Sequence, residues 1–90
     1  LGQRVTTASA RGAWAEYFVV PAHTLLPVPD AIDDAIAAQL VAMPLSALLL
    51  LEMLKVPPGE WIVQNAANGA VGKALAMLGQ ARGINVLNLV

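Results

Sequence analysis

Ninety residues suffice for one small domain, but 58% of them are hydrophobic and only 12% charged, which suits a slice through a protein core better than a domain with its own solvated surface. Five Lys and Arg against six Asp and Glu leave a formal charge of −1, and without a basic cluster to track a phosphate backbone nucleic acid is excluded as a partner. No cysteine is present and His23 is the sole histidine, so neither a disulfide framework nor a thiolate or multi-histidine metal site can form within the chain.

Residues 1–29 read as β structure. Arg4-Val5-Thr6-Thr7 is a short strand, Ser9-Ala10-Arg11-Gly12 a turn, and Ala13 to Val20 a longer strand rich in aromatic and β-branched residues that Pro21 ends. Glu16 and Tyr17 lie on that strand as a charged and an amphipathic side chain, with no partner that would make them an acid and a base. Leu25 and Leu26 give a last extended stretch before Pro27-Val28-Pro29 turns the chain.

Asp30 suits a helix N-cap, with Asp33 adding negative charge to the first turn. Ile32, Ile36, Leu40 and Met43 are spaced by four, four and three, so the periodicity predicts a helix with one buried face that Pro44 stops. The same proline suits the first turn of a second helix, Pro44 to Lys55. Leu45, Leu48 to Leu51 and Leu54 wrap nearly all of its circumference, predicting enclosure on more than one side. Ala35 to Leu51 carries no charged residue, yet Gln39, Pro44 and Ser46 interrupt it and no Lys or Arg cluster sets an orientation, so two buried helices are expected and no membrane span.

After the rigid turn Val56-Pro57-Pro58-Gly59-Glu60 comes the stretch Trp61-Ile62-Val63-Gln64-Asn65-Ala66-Ala67-Asn68-Gly69-Ala70-Val71-Gly72. It reads as a buried strand, a small-residue turn and the start of a helix in the pattern Ala-x-Gly-x-x-Gly, one methyl from the dinucleotide fingerprint at its first position. Small residues keep the backbone N–H groups at the helix start open to an anion, and Gly72 lets the helix press against its strand. Val71, Ala74, Leu75 and Leu78 then recur at helical spacing, Gly83 stands where a C-cap glycine belongs, and Ile84 to Val90 is a second strand apolar on both faces. Trp61 to Val90 is thus one βαβ unit. A domain boundary is expected near Ala35 to Ala38. A chain that opens at Leu1 and ends within a strand is expected to be a piece of a larger protein, whose remainder would cover the second strand.

Taken together these motifs resemble the medium-chain dehydrogenase/reductase superfamily. Gly12-Ala13-Trp14-Ala15-Glu16-Tyr17 with Val20-Pro21 looks like the end of that family's GroES-like catalytic domain. Ala37-Ala38 and Pro44-Leu45-Ser46-Ala47 look like its connecting helices, and Val56-x-Pro58-Gly59-Glu60 with Ala67-Asn68-Gly69-Ala70-Val71-Gly72 looks like the entry to its cofactor domain. The implied fold class is α/β: residues 1–36 close a GroES-like β domain, and residues 37–90 open a Rossmann domain with its first βαβ unit. Two branches fit best, the zinc-free quinone oxidoreductases and the 2-enoyl thioester reductases. Gln64 to Asn68 and Asn85 to Asn88 look closer to the thioester reductases, whereas Met43 departs from their usual Asn and Gly69 is more like the quinone reductases. The cysteine that zinc alcohol dehydrogenases carry just before the position of Ser46 is absent.

The resemblance implies that Asn68, Gly69, Ala70, Val71 and Gly72 hold the pyrophosphate of NADP, with NAD left open, and that Ser46 either sits near the nicotinamide or caps its helix. It names no catalytic residue within the chain, since the proton-donating tyrosine of the thioester reductases would lie upstream of Leu1. No acidic ribose-binding residue appears up to Val90, which favours NADPH. Lys73 is expected on a solvated helix face. The implied function is metal-free hydride transfer from NADPH to an enone, enoyl thioester or quinone, in a cytoplasmic or mitochondrial homodimer acting on a small-molecule or acyl-thioester substrate. The alternatives are a zinc alcohol dehydrogenase and a dinucleotide-binding module without turnover.

Overall fold

In the computed structural model, which describes residues 1–90, the chain divides into two compact units, Leu1–Val41 and Ala42–Val90. In the first, Val5–Thr6 (β1) pairs antiparallel with Leu26–Pro27 (β2), Val5 opposite Pro27 and Thr6 opposite Leu26. The expected strand from Ala13 to Val20 does not form; the segment is irregular, and Trp14, Tyr17 and Val19 are almost wholly exposed. Its composition favours a pleated, half-buried surface, but a strand also needs ladder bonds from a neighbour, and none flanks it. After Pro21 a 3₁₀ turn, Ala22–Thr24, carries His23 at the surface.

Arg4 gathers the polar contacts of this unit. Its Nη2 donates to the Ile32 carbonyl and to Asp34 Oδ1, each at 2.6 Å, while Nη1 donates to the Pro29 carbonyl at 3.3 Å. A planar fork of donors can serve several acceptors at once in this way. The helix that follows, Asp34–Ala37 (α1), is capped by Asp33, not by Asp30: Asp33 Oδ1 accepts from the Ile36 N–H at 2.8 Å. Asp30 instead lies in a turn closed by the bond from the Ile32 N–H to the Pro29 carbonyl at 3.0 Å. Nor does α1 run on to Met43. It tightens into i→i−3 bonds, Gln39 N–H to Ile36 and Leu40 N–H to Ala37, because a helix continuing through residue 44 would drive the proline ring into the Leu40 carbonyl.

The second unit opens with Ala42–Leu54 (α2), two residues earlier than expected, so that Met43 and Pro44 both lie in its first turn. Proline is tolerated there because its missing N–H would have had no intrahelical partner. Trp61–Gln64 (β3), Ala70–Ala81 (α3) and Asn85–Asn88 (β4) form the expected βαβ unit, with β3 and β4 parallel and paired from Trp61↔Asn85 to Gln64↔Asn88. Gly83, at φ +70°, follows the α3 C-cap Arg82 and turns the chain into β4.

Ala47, Leu51, Leu75 and Ile84 form the core of this unit, with Val56, Ile62, Val71, Ala74, Leu78 and Val86 packed against it. These come from α2, α3, one face of the two strands and the segments leading into them, which carry Val56 and Ile84, and together make two layers. Within these residues the strands are covered on one face: Ile62 and Val86 face the core, whereas Trp61, Val63 and Leu87 are exposed. Likewise α2 is covered on one side only, leaving Leu45, Leu49, Leu50 and Leu54 exposed. An apolar run shows which residues prefer burial; the residues present to cover them decide the outcome. No helix is long and apolar enough to cross a membrane.

Candidate functional site

The chain leaves β3 at Gln64 and must reverse within a few residues to start α3. Ala66 takes the left-handed conformation, φ +51°, and the Gly69 N–H donates to its carbonyl at 2.9 Å. Gly69 itself is extended, φ −71° and ψ 164°, a conformation open to any residue. What its missing side chain supplies is clearance, since a Cβ there would stand 3.2 Å from the Ala66 carbonyl oxygen.

No side chain caps α3. The bond from the Lys73 N–H to the Gly69 carbonyl, 3.0 Å, is the first of the helical ladder, so the N–H groups of Ala70, Val71 and Gly72 lack intrahelical acceptors. A helix start of this kind favours an anion by about 0.3–1 kcal/mol at the surface, and more where partly buried.

Gly72 is more tightly confined. A Cβ would meet the Ala67 Cα at 2.8 Å, the Ala67 carbonyl oxygen at 2.9 Å and that of Ala66 at 3.0 Å. All three are backbone atoms, so no rotamer change can relieve the clash. The close approach expected of Gly72 is therefore made to the turn and not to the strand. The approach of α3 to the sheet falls to Gly79, where a Cβ would lie 2.8 Å from Val86 Cγ2. Sequence reasoning passed over Gly79, although its spacing from Gly72 and Leu75 by seven and four places all three on one face, and all three are buried.

A cavity of about 890 Å³ opens beside the C-terminal end of β3, its wall including Gly69, Ala70, Val71 and Gly72 from the helix start and Met43 and Leu50 from α2. Its volume falls in the range of small-molecule and cofactor sites. Asn68 is exposed in the turn, outside that wall. Ser46 is outside it too and does not cap α2, since the helix begins at Ala42 and the Ser46 hydroxyl donates back to the Ala42 carbonyl at 2.8 Å. Lys73 is exposed and unpaired. Glu16 and Tyr17 are exposed in the first unit, with no side-chain hydrogen bond between them.

A side chain that sequence reasoning left unassigned also bears on the site. Gln64 Nε2 donates to the Gly72 carbonyl at 2.9 Å and to Asn88 Oδ1 at 2.6 Å. The one available signal was an amide residue at the C-terminal end of each strand, Gln64 and Asn88.

No family model matches the chain. Among characterised proteins, it is 38% identical over 86 residues to a highly reducing polyketide synthase of Aspergillus terreus, covering 94% of this chain and 3% of the synthase. It is 34% identical over 80 residues to the mitochondrial enoyl-[acyl-carrier-protein] reductase of Dictyostelium discoideum, covering 88% of this chain and 23% of the reductase. Among solved structures, the quinone oxidoreductase of Thermus thermophilus, determined also in complex with NADPH, superposes with a TM-score of 0.89 at 34% identity over 97% of this chain and 30% of that one. The chain thus spans no more than a third of any of the three. Over nearly its whole length, then, the chain's homologues are members of the medium-chain dehydrogenase/reductase superfamily, and its structural neighbours are quinone oxidoreductases.

Proposed function

We propose that the protein carrying this chain is an NADPH-dependent oxidoreductase that reduces an enone, enoyl thioester or quinone without a metal. In this reading residues 1–36 close its GroES-like domain and residues 37–90 begin its Rossmann domain. The observation that carries the reading is the start of α3, where no side chain caps the helix and where Gly72 meets main chain so closely that a Cβ would stand 2.8 Å from Ala67 Cα. A turn built so tightly beneath unpaired N–H groups fits a linked pair of phosphates resting on the main chain. The NADPH complex of the Thermus quinone oxidoreductase supports this choice of nucleotide.

The N–H groups of Ala70, Val71 and Gly72 would receive the diphosphate, with Asn68 and Gly69 leaving its approach clear. Ser46 is assigned to the nicotinamide end, where its hydroxyl oxygen can accept a hydrogen bond while still donating to the Ala42 carbonyl. NADPH supplies the hydride. The chain's contribution is to fix the nucleotide's position, so that an acceptor carbonyl held elsewhere in the protein meets it in one orientation. The substrate is a small molecule or an acyl thioester, and the protein acts as a homodimer in the cytoplasm or the mitochondrion; the named mitochondrial relative supports the second location.

The test is NADPH titration of the full-length protein, followed by turnover with one acceptor of each class. Saturable binding and oxidation of NADPH by at least one acceptor are expected. Binding without reduction of any enone, enoyl thioester or quinone would leave a nucleotide-binding module, and alcohol oxidation abolished by a zinc chelator would favour the alcohol dehydrogenase reading.

A further inference from the structure

We infer that Gln64 is a positioning residue for the diphosphate, latching the start of α3 to the ends of both strands through its side-chain amide. The inference rests on the nucleotide-binding reading above. Gln64 ends β3 and lies opposite Asn88, which ends β4. Its Nε2 carries two hydrogens, and both are engaged: one with the Gly72 carbonyl at 2.9 Å, the other with Asn88 Oδ1 at 2.6 Å. Gly72 is the third residue of α3, and its N–H is one of the three that would receive the phosphates. One side chain therefore holds the strand before the site, the helix that forms it and the strand beside it.

Backbone bonds frame the same place. The Leu89 N–H donates to the Gln64 carbonyl at 2.9 Å, and the Ala67 N–H donates to the Leu89 carbonyl at 3.4 Å. These tie β3, the turn and the segment after β4, but neither touches α3. Gly72 cannot add a contact of its own, since it has no side chain and its surroundings forbid one. Among side chains, only that of Gln64 reaches the first turn of α3 with a hydrogen bond. Sub-ångström placement of donors decides how much a preorganised site gains from them, so releasing this bond lets the helix start tilt away from the converging geometry.

The experiment uses the full-length protein and its variants Gln64→Met, Asn88→Ala and the double variant, with NADPH affinity, KM for NADPH, KM for the acceptor, kcat and thermal midpoint measured for each. Gln64→Met keeps the length of the side chain and removes both donors; Asn88→Ala removes one acceptor and leaves the bond to Gly72. We expect Gln64→Met to weaken NADPH binding roughly tenfold, the equivalent of one to two hydrogen bonds. Its KM for NADPH should rise by more than kcat falls, with KM for the acceptor nearly fixed. Asn88→Ala should have a smaller effect, and the double variant should be no worse than Gln64→Met alone, because the two side chains act through one latch. Unchanged NADPH affinity in Gln64→Met would overturn the inference while leaving the nucleotide reading intact, as would a fall in thermal midpoint or kcat without a change in that affinity. Additive losses in the double variant would overturn the latch. Wild-type protein that binds no NADPH would instead overturn the reading on which the inference rests.

Discussion

The two compact units are held together by different means. In residues 1–41 only Val28 and Ala37 are buried among the apolar residues, and the order there comes from directional polar contacts gathered by Arg4 and by the Asp33 cap. In residues 42–90 four core side chains from two helices and the approach to β4 close on one another, and the tightest constraints are glycines whose missing Cβ atoms would collide with neighbours. The first unit depends on what its side chains donate; the second depends on where side chains are missing. Only the second mode leaves a main chain bare enough to receive a ligand.

The largest effect that can break this contrast is at Gly69. Gly69→Leu places a branched side chain over the open N–H groups of α3, at a φ of −71° that an L-residue adopts freely. NADPH affinity should fall by at least about 100-fold, with a smaller loss of stability than at Gly72, since the one tight contact of a Cβ is with the Ala66 carbonyl oxygen at 3.2 Å. Titration of wild type and variant side by side checks this, and equal affinities would show that the nucleotide does not approach there. Gly72→Leu should be inactive for a different reason, because its side chain must displace main chain. It should cost about 1–3 kcal/mol of stability through overpacking, read from denaturant unfolding, in addition to the loss of binding.

Much of the second unit was legible from sequence because its signals are local and agree with one another. Hydrophobic spacing in α3, the small residues of the turn and Gly83 behind the helix each predict the same βαβ unit, and the structure has it. The first unit was less legible. Ala13 to Val20 has strand composition without a strand beside it, and strand formation depends on a partner that composition does not identify. Asp30 and Asp33 are equally good caps in isolation, and the choice follows from where the chain can turn before α1. At the candidate site the glycine turn was visible, while Gln64 and Gly79 were not: their roles depend on Asn88 and Val86, which are distant in sequence and meet them only through the parallel register.

Arg4 offers the polar counterpart to the glycines. Arg4→Met keeps an unbranched side chain but leaves the Ile32 and Pro29 carbonyls without this donor, and the expected cost is about 1–2 kcal/mol. Hydrogen exchange is the appropriate measurement, since the amides of Val28 and Ile36, bonded to the Arg4 carbonyl and the Asp33 carboxylate, should lose protection before those of β3 and α3. Uniform loss across both units would contradict the division between them. Gly79→Ala should cost up to about 2 kcal/mol, because a Cβ would meet Val86 Cγ2 at 2.8 Å on a β-branched side chain packed against the core, and the roughly 0.8–1 kcal/mol of helix propensity that alanine gains over glycine offsets only part of that. Adding Val86→Ala should remove the steric part of that cost, which a double-mutant cycle on unfolding free energy would detect.

The smallest effect belongs to the ion pair between Arg82 Nη2 and Glu52 Oε1, which spans 2.5 Å from the end of α3 to α2. It is superficially similar to the contact of Arg4 Nη2 with Asp34 Oδ1 at 2.6 Å, yet the two arginines differ in what else they hold. Arg4 also serves two backbone carbonyls, whereas the Arg82 side chain has Glu52 as its single partner. Both members of the Arg82 pair are substantially exposed, at 40% and 59%, so water and salt screen the attraction and replace the lost contact. Arg82→Met should therefore change stability by no more than about 0.5 kcal/mol, and the difference from wild type should shrink further in 1 M salt. If Arg82→Met proved as costly as Arg4→Met in parallel unfolding experiments, packing and clearance would no longer account for how the second unit is held, and the contrast between the two units would fail.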